Sequence, residues 1–197
     1  MRIMAAVWPL TALFGGPLWV WMYGRYARAG RSTSGTRTPR SVSIAISTSH
    51  CGAGCALADL VVEWVVFAAP AVAVLGGLGT VFRDRMFAVW ALELVVAFLV
   101  GIAFQYAAIA PARGLGLAAG LRAAIKADTA SIVAWQCGMY GLMAVVQLLL
   151  LPALFGGRAS VATPEFWFAM QWAMLLGFAF AYPVNALLIR SGLKEAM

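Results

Sequence analysis

Histidine and cysteine are scarce in this 197-residue sequence, which contains one His and three Cys. Acidic residues are scarce as well, with 7 Asp and Glu against 14 Lys and Arg. We find no nucleophile-base-acid set, no Gly-rich phosphate loop after a strand and no His-rich metal motif, so hydrolase or kinase chemistry is not expected. So few cysteines make no secreted disulfide framework, which favours a reduced or metal-bound state.

Apolar residues dominate the composition. They make up 63% of the chain, charged residues make up 11%, and the mean hydropathy is +0.90. A soluble domain of this length cannot bury so much apolar surface, so we expect an integral membrane protein in contact with the lipid bilayer. The net charge of +7 lies beside apolar segments, so phospholipid headgroups rather than nucleic acid are the expected counter-charge.

Several apolar segments are long enough to cross a bilayer, and they predict an all-α polytopic membrane bundle with about five transmembrane helices. The segments are residues 4–24, 55–79, 86–110, 130–155 and 166–189. The basic residues 111–127, between the third and fourth segments, are too short to cross and predict a helix that lies in the membrane interface. Short loops between the spans are also compatible with a homo-oligomer.

The chain is expected to have three parts. Residues 1–24 form a first transmembrane helix, retained rather than cleaved as a signal peptide because most of its charge follows the apolar run. Residues 25–49 form a basic, flexible cytoplasmic loop, in which residues 41–49 alternate polar and apolar side chains as an extended segment does. Residues 50–197 form a four-helix membrane domain, with Pro70 predicted to kink its first span.

Lys and Arg are more frequent on one side of this predicted topology. The 25–49 loop, the 111–129 segment and the C-terminus together carry most of them. By the positive-inside rule we expect the N-terminus outside and the C-terminus in the cytoplasm. His50, Cys51 and Cys55 are then expected at the cytoplasmic mouth of the second span.

The stretch from His50 to Glu63 concentrates the reactive side chains of the chain. A helix from Cys51 onward places Cys51, Cys55, Asp59 and Glu63 at successive i, i+4 positions. These reactive side chains would then share one face of one helix. Such a face can bind a metal, carry protons, cycle a disulfide or only pack against neighbouring helices.

A soft-metal site is the leading hypothesis, used to bind Cu(I) or move it across the membrane. The imidazole of His50 and the thiolates of Cys51 and Cys55 suit Cu(I), with Zn(II) as the alternative. Methionine pairs on later spans repeat the four-residue spacing and would be weaker stations for the ion: Met139 with Met143, and Met170 with Met174. The structural alternative is packing, because thiols and thioethers also fill apolar gaps.

Acidic residues inside the predicted spans also need an explanation. Glu63 and Glu93 each lie several residues inside a span, where an unpaired ionised carboxylate costs at least a few kcal/mol. They are expected to be protonated, paired, metal-bound or in contact with water. The structural alternative is a neutral carboxyl bonded to Gln105, to Gln147 or to a freed backbone carbonyl. Asp59 and Glu63 would take up the protons that ligand thiols release.

Polar residues of the later spans complete the candidate set. Gln136 and Asn185 are grouped with the acids as proton-coupling or charge-balancing residues. The sequence Tyr182-Pro183-Val184-Asn185 is expected to break the last helix, and the freed carbonyl either marks a simple kink or coordinates a cation. Asp128 is expected to cap the start of the fourth span.

Two other functions remain open beside the metal hypothesis. Cys51 and Cys55 are separated by one helical turn, about 6 Å, which a disulfide can just span, so a membrane thiol-disulfide oxidoreductase is one alternative. A proton or cation pathway through Asp59, Glu63 and Glu93 is the other. Of the three functions considered, only the oxidoreductase is an enzymatic one. Under the leading hypothesis the protein is not expected to be an enzyme.

Three stretches resemble a family of bacterial integral membrane proteins, the domain of unknown function DUF4396. They are residues 50–64 (HCGAGCALADLVVEW), 128–143 (DTASIVAWQCGMYGLM) and 166–197 with its Tyr-Pro-x-Asn end. The resemblance implies a polytopic fold in the bacterial inner membrane and no agreed activity. It also implies departures here, because Ala58 stands where the family pattern has Gly and Gln136 stands where it has an acidic residue.

Overall fold

The computed structural model describes residues 4–27 and 39–194, and this part of the chain is helical, without a strand. The predicted all-α class is therefore confirmed. The α-helices are α1 Met4–Met22, α2 Arg40–Ala68, α3 Arg85–Arg113, α4 Leu117–Val145, α5 Leu151–Phe155 and α6 Pro164–Arg190. A 3-10 helix covers Pro70–Gly76, and π-helical turns cover Tyr23–Ala27 and Val146–Leu150. Residues 28–38 of the predicted basic loop lie outside the described residues.

Four helical segments of the described chain are long and apolar enough to cross a membrane: Arg40–Ala68, Arg85–Pro111, Leu117–Phe155 and Pro164–Arg190. The chain is thus a multi-pass membrane protein, but the predicted count of five spans is not confirmed. The difference is α1, which is interrupted at Gly16, where φ is 53° and ψ is −142°. This left-handed conformation, which suits glycine, is followed by Pro17, so the apolar run bends instead of continuing as one helix.

The start of α2 corrects one prediction. Residues 41–49, expected to be extended, are the first turns of a helix that begins at Arg40. The hydroxyl of Thr48 donates to the carbonyl oxygen of Ile44 at 2.8 Å, and Ser49 makes the same kind of bond one turn back. Because the helix satisfies these hydroxyls internally, they are compatible with a buried helix despite the alternating pattern.

The ends of two other spans also differ from prediction. Residues 117–127 do not form a separate interfacial helix but are the first turns of α4, which continues to Val145. No Gly-Pro break separates the basic part from the apolar part, so the helix runs through both. The second span ends at Ala68, and Pro70 starts a 3-10 helix instead of kinking a longer span to Gly79, as expected where proline lacks an N–H donor.

The last span is one uninterrupted α-helix, Pro164–Arg190, with Pro183 inside it. The predicted break at Tyr182–Asn185 is therefore wrong. In the same turn, the side-chain Nδ2 of Asn185 donates to the carbonyl oxygen of Ala181 at 2.9 Å. Neighbouring polar side chains commonly satisfy backbone groups around a proline in membrane helices.

Helix α2 is the enclosed helix of the bundle. In its most apolar window 61% of the residues are buried, compared with 39%, 28% and 33% in the other three spans. It packs against α1, α3, α4 and α6. The helix that carries the concentrated reactive residues of the sequence is therefore the one that the rest of the protein surrounds.

Glycines permit close contact between the helices. A Cβ added to Gly54 of α2 would lie 3.2 Å from Cα of Gly101 on α3, and one added to Gly138 of α4 would lie 3.0 Å from Cα of Gly177 on α6. Small residues at such crossings let membrane helices pack backbone to backbone. These contacts fix which side chains of neighbouring helices meet.

The spanning helices alternate in direction along the chain, which defines two ends of the bundle. We call one the basic end, where α2 begins at Arg40, α3 ends at Arg113 and α6 ends at Arg190. The opposite end, where α2 ends at Ala68 and α3 begins at Arg85, is called the cavity end.

Candidate functional site

A line of reactive side chains runs along α2, as the sequence predicts. Cys51, Cys55, Asp59 and Glu63 follow one another within this uninterrupted helix, and their exposed fractions are 0%, 0%, 0% and 8%. Because α2 begins at Arg40, Cys51 lies about 16 Å along the helix. The two thiols thus lie near the middle of α2, and their predicted position at the cytoplasmic mouth of the span stays a prediction.

Three carboxyl groups meet towards the cavity end, and we call them the acid cluster: Asp59 and Glu63 of α2 and Glu93 of α3. Glu93 has no exposed surface. The carboxyls of Glu63 and Glu93 are close enough to interact directly. Even so, no oxygen of Asp59 or Glu93 has a hydrogen-bond partner of good geometry. The cluster therefore combines burial, like charge and unsatisfied acceptors.

The amide partners considered from the sequence do not satisfy these carboxyls. Gln147 instead bonds to the loop after α5, donating to the carbonyl oxygen of Ala159 at 3.3 Å and accepting from its N–H at 3.0 Å. Tyr140 of α4 interacts electrostatically with Glu93, but its hydroxyl donates to the carbonyl oxygen of Trp90 at 2.8 Å. Asp59 and Glu93 are therefore not hydrogen-bonded to a glutamine amide, as the structural alternative required.

A cavity of about 320 Å³ reaches the acid cluster from the cavity end. Its polar lining consists of Glu63, Asp84, Arg85, Gln147, Arg158 and Ser160. The guanidinium of Arg85, at the rim, donates to the carbonyl oxygen of Val66 at 3.1 Å and interacts electrostatically with Glu63. Glu63 is thus the member of the cluster that connects the buried carboxyls to an opening.

An ion pair borders the same cavity. Nη1 of Arg158 lies 2.7 Å from Oδ2 of Asp84, and both side chains are partly exposed. Partial burial acts to raise the pKa of Asp84, but the hydrogen bonds from the Met86 amide and from Arg158 outweigh it and hold the pKa below its ordinary value. The opening therefore carries a fixed negative charge beside two guanidinium groups.

The two α2 thiols lie between the acid cluster and the basic end. Cys51 and Cys55 are free, fully buried cysteines, and their side chains are hydrogen-bonded to each other. The thiol of Cys55 interacts electrostatically with Asp59 on one side and with Asp128 of α4 on the other. The pair therefore connects two groups of ionisable residues.

The second group lies towards the basic end, and we call it the ion-pair cluster: His50, Asp128 and Lys194. Nζ of Lys194 lies 2.9 Å from Oδ1 of Asp128, and neither side chain has exposed surface. His50 interacts electrostatically with both and packs edge-on against Phe104 at 6.1 Å between ring centroids. Neither ring nitrogen has a hydrogen-bond partner of good geometry. Asp128, expected as a helix cap, is instead a buried charge inside α4.

His50 therefore belongs with the ion pair and not with a thiolate site. In the part of the chain that is described, no three His, Cys, Asp or Glu side chains converge in a way that could hold a metal ion. The predicted methionines are all buried, in the same core cluster as the two α2 cysteines: Met139, Met143, Met170 and Met174. Core packing alone is enough to explain why these methionines are buried.

The predicted polar residues of the later spans take different positions. Asn185 donates to Oγ of Ser131 at 2.6 Å, across the contact between α6 and α4. Gln136 is 2% exposed, and neither of its amide atoms has a hydrogen-bond partner of good geometry. The amide of Gln136 is therefore buried in the core without a hydrogen-bond partner.

Sequence reasoning did not find the roles of Lys194, Arg85 and Asp128. A buried carboxylate such as Asp128 is signalled by its place within an apolar stretch, but nothing local indicates that its partner is Lys194, 66 positions further along the chain. Arg85 has no local signal either, because its contact with the α2 backbone depends on how α3 packs.

The fold and the site define a multi-pass α-helical membrane protein with an enclosed helix whose ionisable groups lie inside the bundle. The model of the family described as Domain of unknown function (DUF4396) matches residues 42–194, so the chain belongs to this family, and the resemblance seen in the sequence is confirmed. No curated protein and no solved structure matches the chain.

Proposed function

We propose that this protein is a proton pathway through the membrane, in which the acid cluster accepts protons from the cavity. The observation that carries the proposal is the meeting of Asp59, Glu63 and Glu93 inside the bundle, with Glu63 at a cavity and the other two carboxyls unsatisfied. Three mutually interacting carboxylates cannot all remain ionised in hydrocarbon. The cluster therefore carries protons, and its members can exchange them.

The line along α2 supplies the rest of the route. From Asp59 the next ionisable groups towards the basic end are Cys55 and Cys51, followed by His50. Asp59 and His50 are about 14 Å apart along the helix axis. The two thiols lie between them, so each proton transfer would cover only part of this distance. A proton relay needs only such a chain of groups that bind and release protons, whereas a metal cation needs several ligands around each position.

The proposed setting is the bacterial inner membrane, with the basic end in the cytoplasm. Arg40, Arg113, Arg122, Lys126 and Arg190 belong to the helix ends or first turns at that end, and the positive-inside rule assigns such an end to the cytoplasm. The cavity would then open to the outside, so protons would enter at Glu63.

Proton flux into proteoliposomes tests the proposal. Vesicles containing pyranine are energised by a potassium gradient with valinomycin, and internal pH is followed. Wild type is expected to show flux above that of empty vesicles, and Glu93→Gln is expected to fall to the empty-vesicle rate, because an amide cannot relay the proton. The matched control is Glu165→Gln, since Glu165 is an exposed acid in the first turn of α6, outside the cluster.

Two results would contradict the proposed proton pathway. Equal flux in wild type, Glu93→Gln and empty vesicles would contradict the proposal, as would equal loss in Glu93→Gln and Glu165→Gln. Repeating the measurement with a sodium gradient in place of the potassium gradient and valinomycin distinguishes protons from other cations.

A second candidate is the binding of Cu(I) by the two α2 thiols. The observation that favours it is the direct contact of the buried Cys51 and Cys55 side chains, in a core that also contains four methionines. Cu(I) prefers thiolate and thioether ligands. Zn(II) fits less well, because it is almost always four-coordinate. Reversible oxidation of the pair stays a prediction, disfavoured by thiols with no exposed surface.

One variant separates the two candidates. Cys51→Ser/Cys55→Ser keeps hydroxyl groups along the line, so the proton proposal expects flux to persist. The metal candidate expects stoichiometric copper in wild type, measured by elemental analysis after purification without chelators, and its loss in the variant. Unchanged copper in the variant would exclude these thiols as the ligands.

A further inference from the structure

The cavity of about 320 Å³ at the acid cluster is lined by charged residues from different elements. Glu63 belongs to α2, Arg85 is the first residue of α3, and Arg158 lies in the loop between α5 and α6. The buried amide of Gln147 forms two hydrogen bonds with the backbone of Ala159, next to Arg158. The loop is therefore anchored at the opening, where it brings a second guanidinium to the same cavity.

The two guanidinium groups of the cavity differ in how they are neutralised. Arg158 is paired with Asp84, whereas no carboxylate of the described chain lies within ion-pair distance of Arg85. Nη2 of Arg85 donates to the neutral carbonyl of Val66, which uses one of the five N–H donors of the group. Glu63 interacts electrostatically with Arg85, but it offsets the positive charge only while it is ionised. When Glu63 carries a proton, one positive charge at the cavity has no counter-charge.

Two helices begin at this cavity and add to its positive potential. Met86 in the first turn of α3 and Phe166 in the first turn of α6 line it, and the N-terminal end of a helix carries a partial positive charge. The indole of Trp90 also borders the cavity and stacks on Tyr140, with 4.8 Å between the ring centroids. A ligand in this cavity therefore meets positive charge beside an apolar wall, to which further side chains contribute: Phe67, Val89 and Met143.

We infer that the cavity binds a small monovalent organic anion, a monocarboxylate, whose carboxylate contacts Arg85 while Glu63 carries a proton. A guanidinium matches the two oxygens of a carboxylate better than it matches a spherical ion, and the apolar wall favours an organic body. A volume of about 320 Å³ is at the small end of ligand pockets and is too small for a whole phospholipid. One uncompensated guanidinium matches one negative charge.

This inference deepens the proposed function, on which it rests for the proton at Glu63, and it adds a ligand to the entrance of the pathway. The proton removes the negative charge that would repel the anion, and the anion occupies the guanidinium that would otherwise stabilise ionised Glu63. The anion and the proton are therefore expected to bind together. Other charged or titratable groups face Glu63 from neighbouring elements: Asp59 on α2, Asp84 before α3, Glu93 on α3, Tyr140 on α4 and Arg158 after α5.

Isothermal titration calorimetry of the full chain in detergent tests the site, with benzoate as the probe and benzamide as the neutral ligand of similar shape. Wild type is expected to bind benzoate and not benzamide. Its Kd should rise by up to about tenfold per pH unit once Glu63 begins to release its proton, because one proton binds with each anion. Glu63→Gln stays neutral at every pH, so it is expected to bind benzoate without this pH dependence.

Arg85→Gln is expected to raise the Kd for benzoate by roughly 10- to 100-fold, the loss that follows removal of a charged hydrogen-bond partner. Arg83→Gln is the matched control, because Arg83 is an exposed arginine that does not line the cavity. Equal affinity of Arg85→Gln and Arg83→Gln would overturn the inference. So would absence of benzoate binding in wild type, equal affinity for benzoate and benzamide, or the same pH dependence in wild type and Glu63→Gln.

Failure of this inference is distinguishable from failure of the proton pathway. Proton flux in wild type without benzoate binding would overturn the anion site alone, whereas benzoate binding of the expected kind without proton flux would overturn only the pathway. The comparison of wild type with Glu63→Gln needs no change at Arg85, so it decides the matter if Arg85→Gln does not fold.

Discussion

The acid cluster and the ion-pair cluster lie towards opposite ends of α2 and balance buried charge in different ways. The acid cluster brings three carboxyls together with a guanidinium only at its rim, and it meets a cavity. In the ion-pair cluster, Asp128 and Lys194 pair directly, without exposed surface. A buried carboxyl without a partner is suited to gaining and losing a proton, whereas a buried ion pair keeps both of its charges.

Breaking the ion pair is expected to have the largest effect on stability. Asp128→Asn leaves the ammonium of Lys194 buried without a counter-charge, and such a change costs about 3–5 kcal/mol of unfolding free energy. The loss is measurable by SDS titration followed by tryptophan fluorescence. Asp128→Asn/Lys194→Met is the control and should recover most of the loss. Equal losses in the single and double variants would mean that the pair does not determine the stability of this end.

Separating α2 from α3 is expected to have the next largest effect. In Gly54→Leu the new side chain meets the backbone of Gly101, and overpacking at such a contact costs about 1–3 kcal/mol. Proton flux should fall as well, because the contact sets the register between Glu93 and the α2 acids. Gly141→Leu is the matched control, since nothing lies within 4 Å of a Cβ at Gly141. Similar stability and flux in both variants would contradict this role of the contact.

The ion pair at the cavity is expected to contribute little. Asp84→Asn keeps the bond to the Met86 amide but removes the charge facing Arg158, at a cost of about 0.2–1 kcal/mol. Because the folded pKa of Asp84 is lowered, its stabilisation is present above the unfolded pKa of about 3.9 and is lost as the pH falls through the folded value. Unfolding of wild type and variant should therefore converge in acid and differ at neutral pH.

Neutralising the acid cluster is expected to have the smallest effect on stability. Glu93→Gln keeps the size of the side chain and removes no good hydrogen bond, so the unfolding free energy should change by less than about 0.5 kcal/mol. The same variant should abolish proton flux. A large loss of stability in Glu93→Gln would show that the cluster is structural and would remove the contrast with Asp128.

Several features of the site were predictable from the sequence because they depend on neighbouring positions. The line from Cys51 to Glu63 requires only helical spacing, and the spans require only long apolar stretches. The start of α2 was not predictable in this way, since the hydroxyls that interrupt its apolar pattern are satisfied inside the helix. Because α2 begins at Arg40, the thiols lie near the middle of the helix instead of in its first turn.

The sequence by itself determined that this is an α-helical membrane protein of its family, with reactive groups concentrated on one helix, because composition and helical periodicity are local properties. Only the tertiary structure decided which of those groups meet. Glu93 joins Asp59 and Glu63, and Lys194 joins Asp128, because glycine contacts set the positions of neighbouring helices and bring together residues that are distant in sequence. Hydrophobic pattern specifies that a helix is buried, but only packing specifies the side chains that it faces.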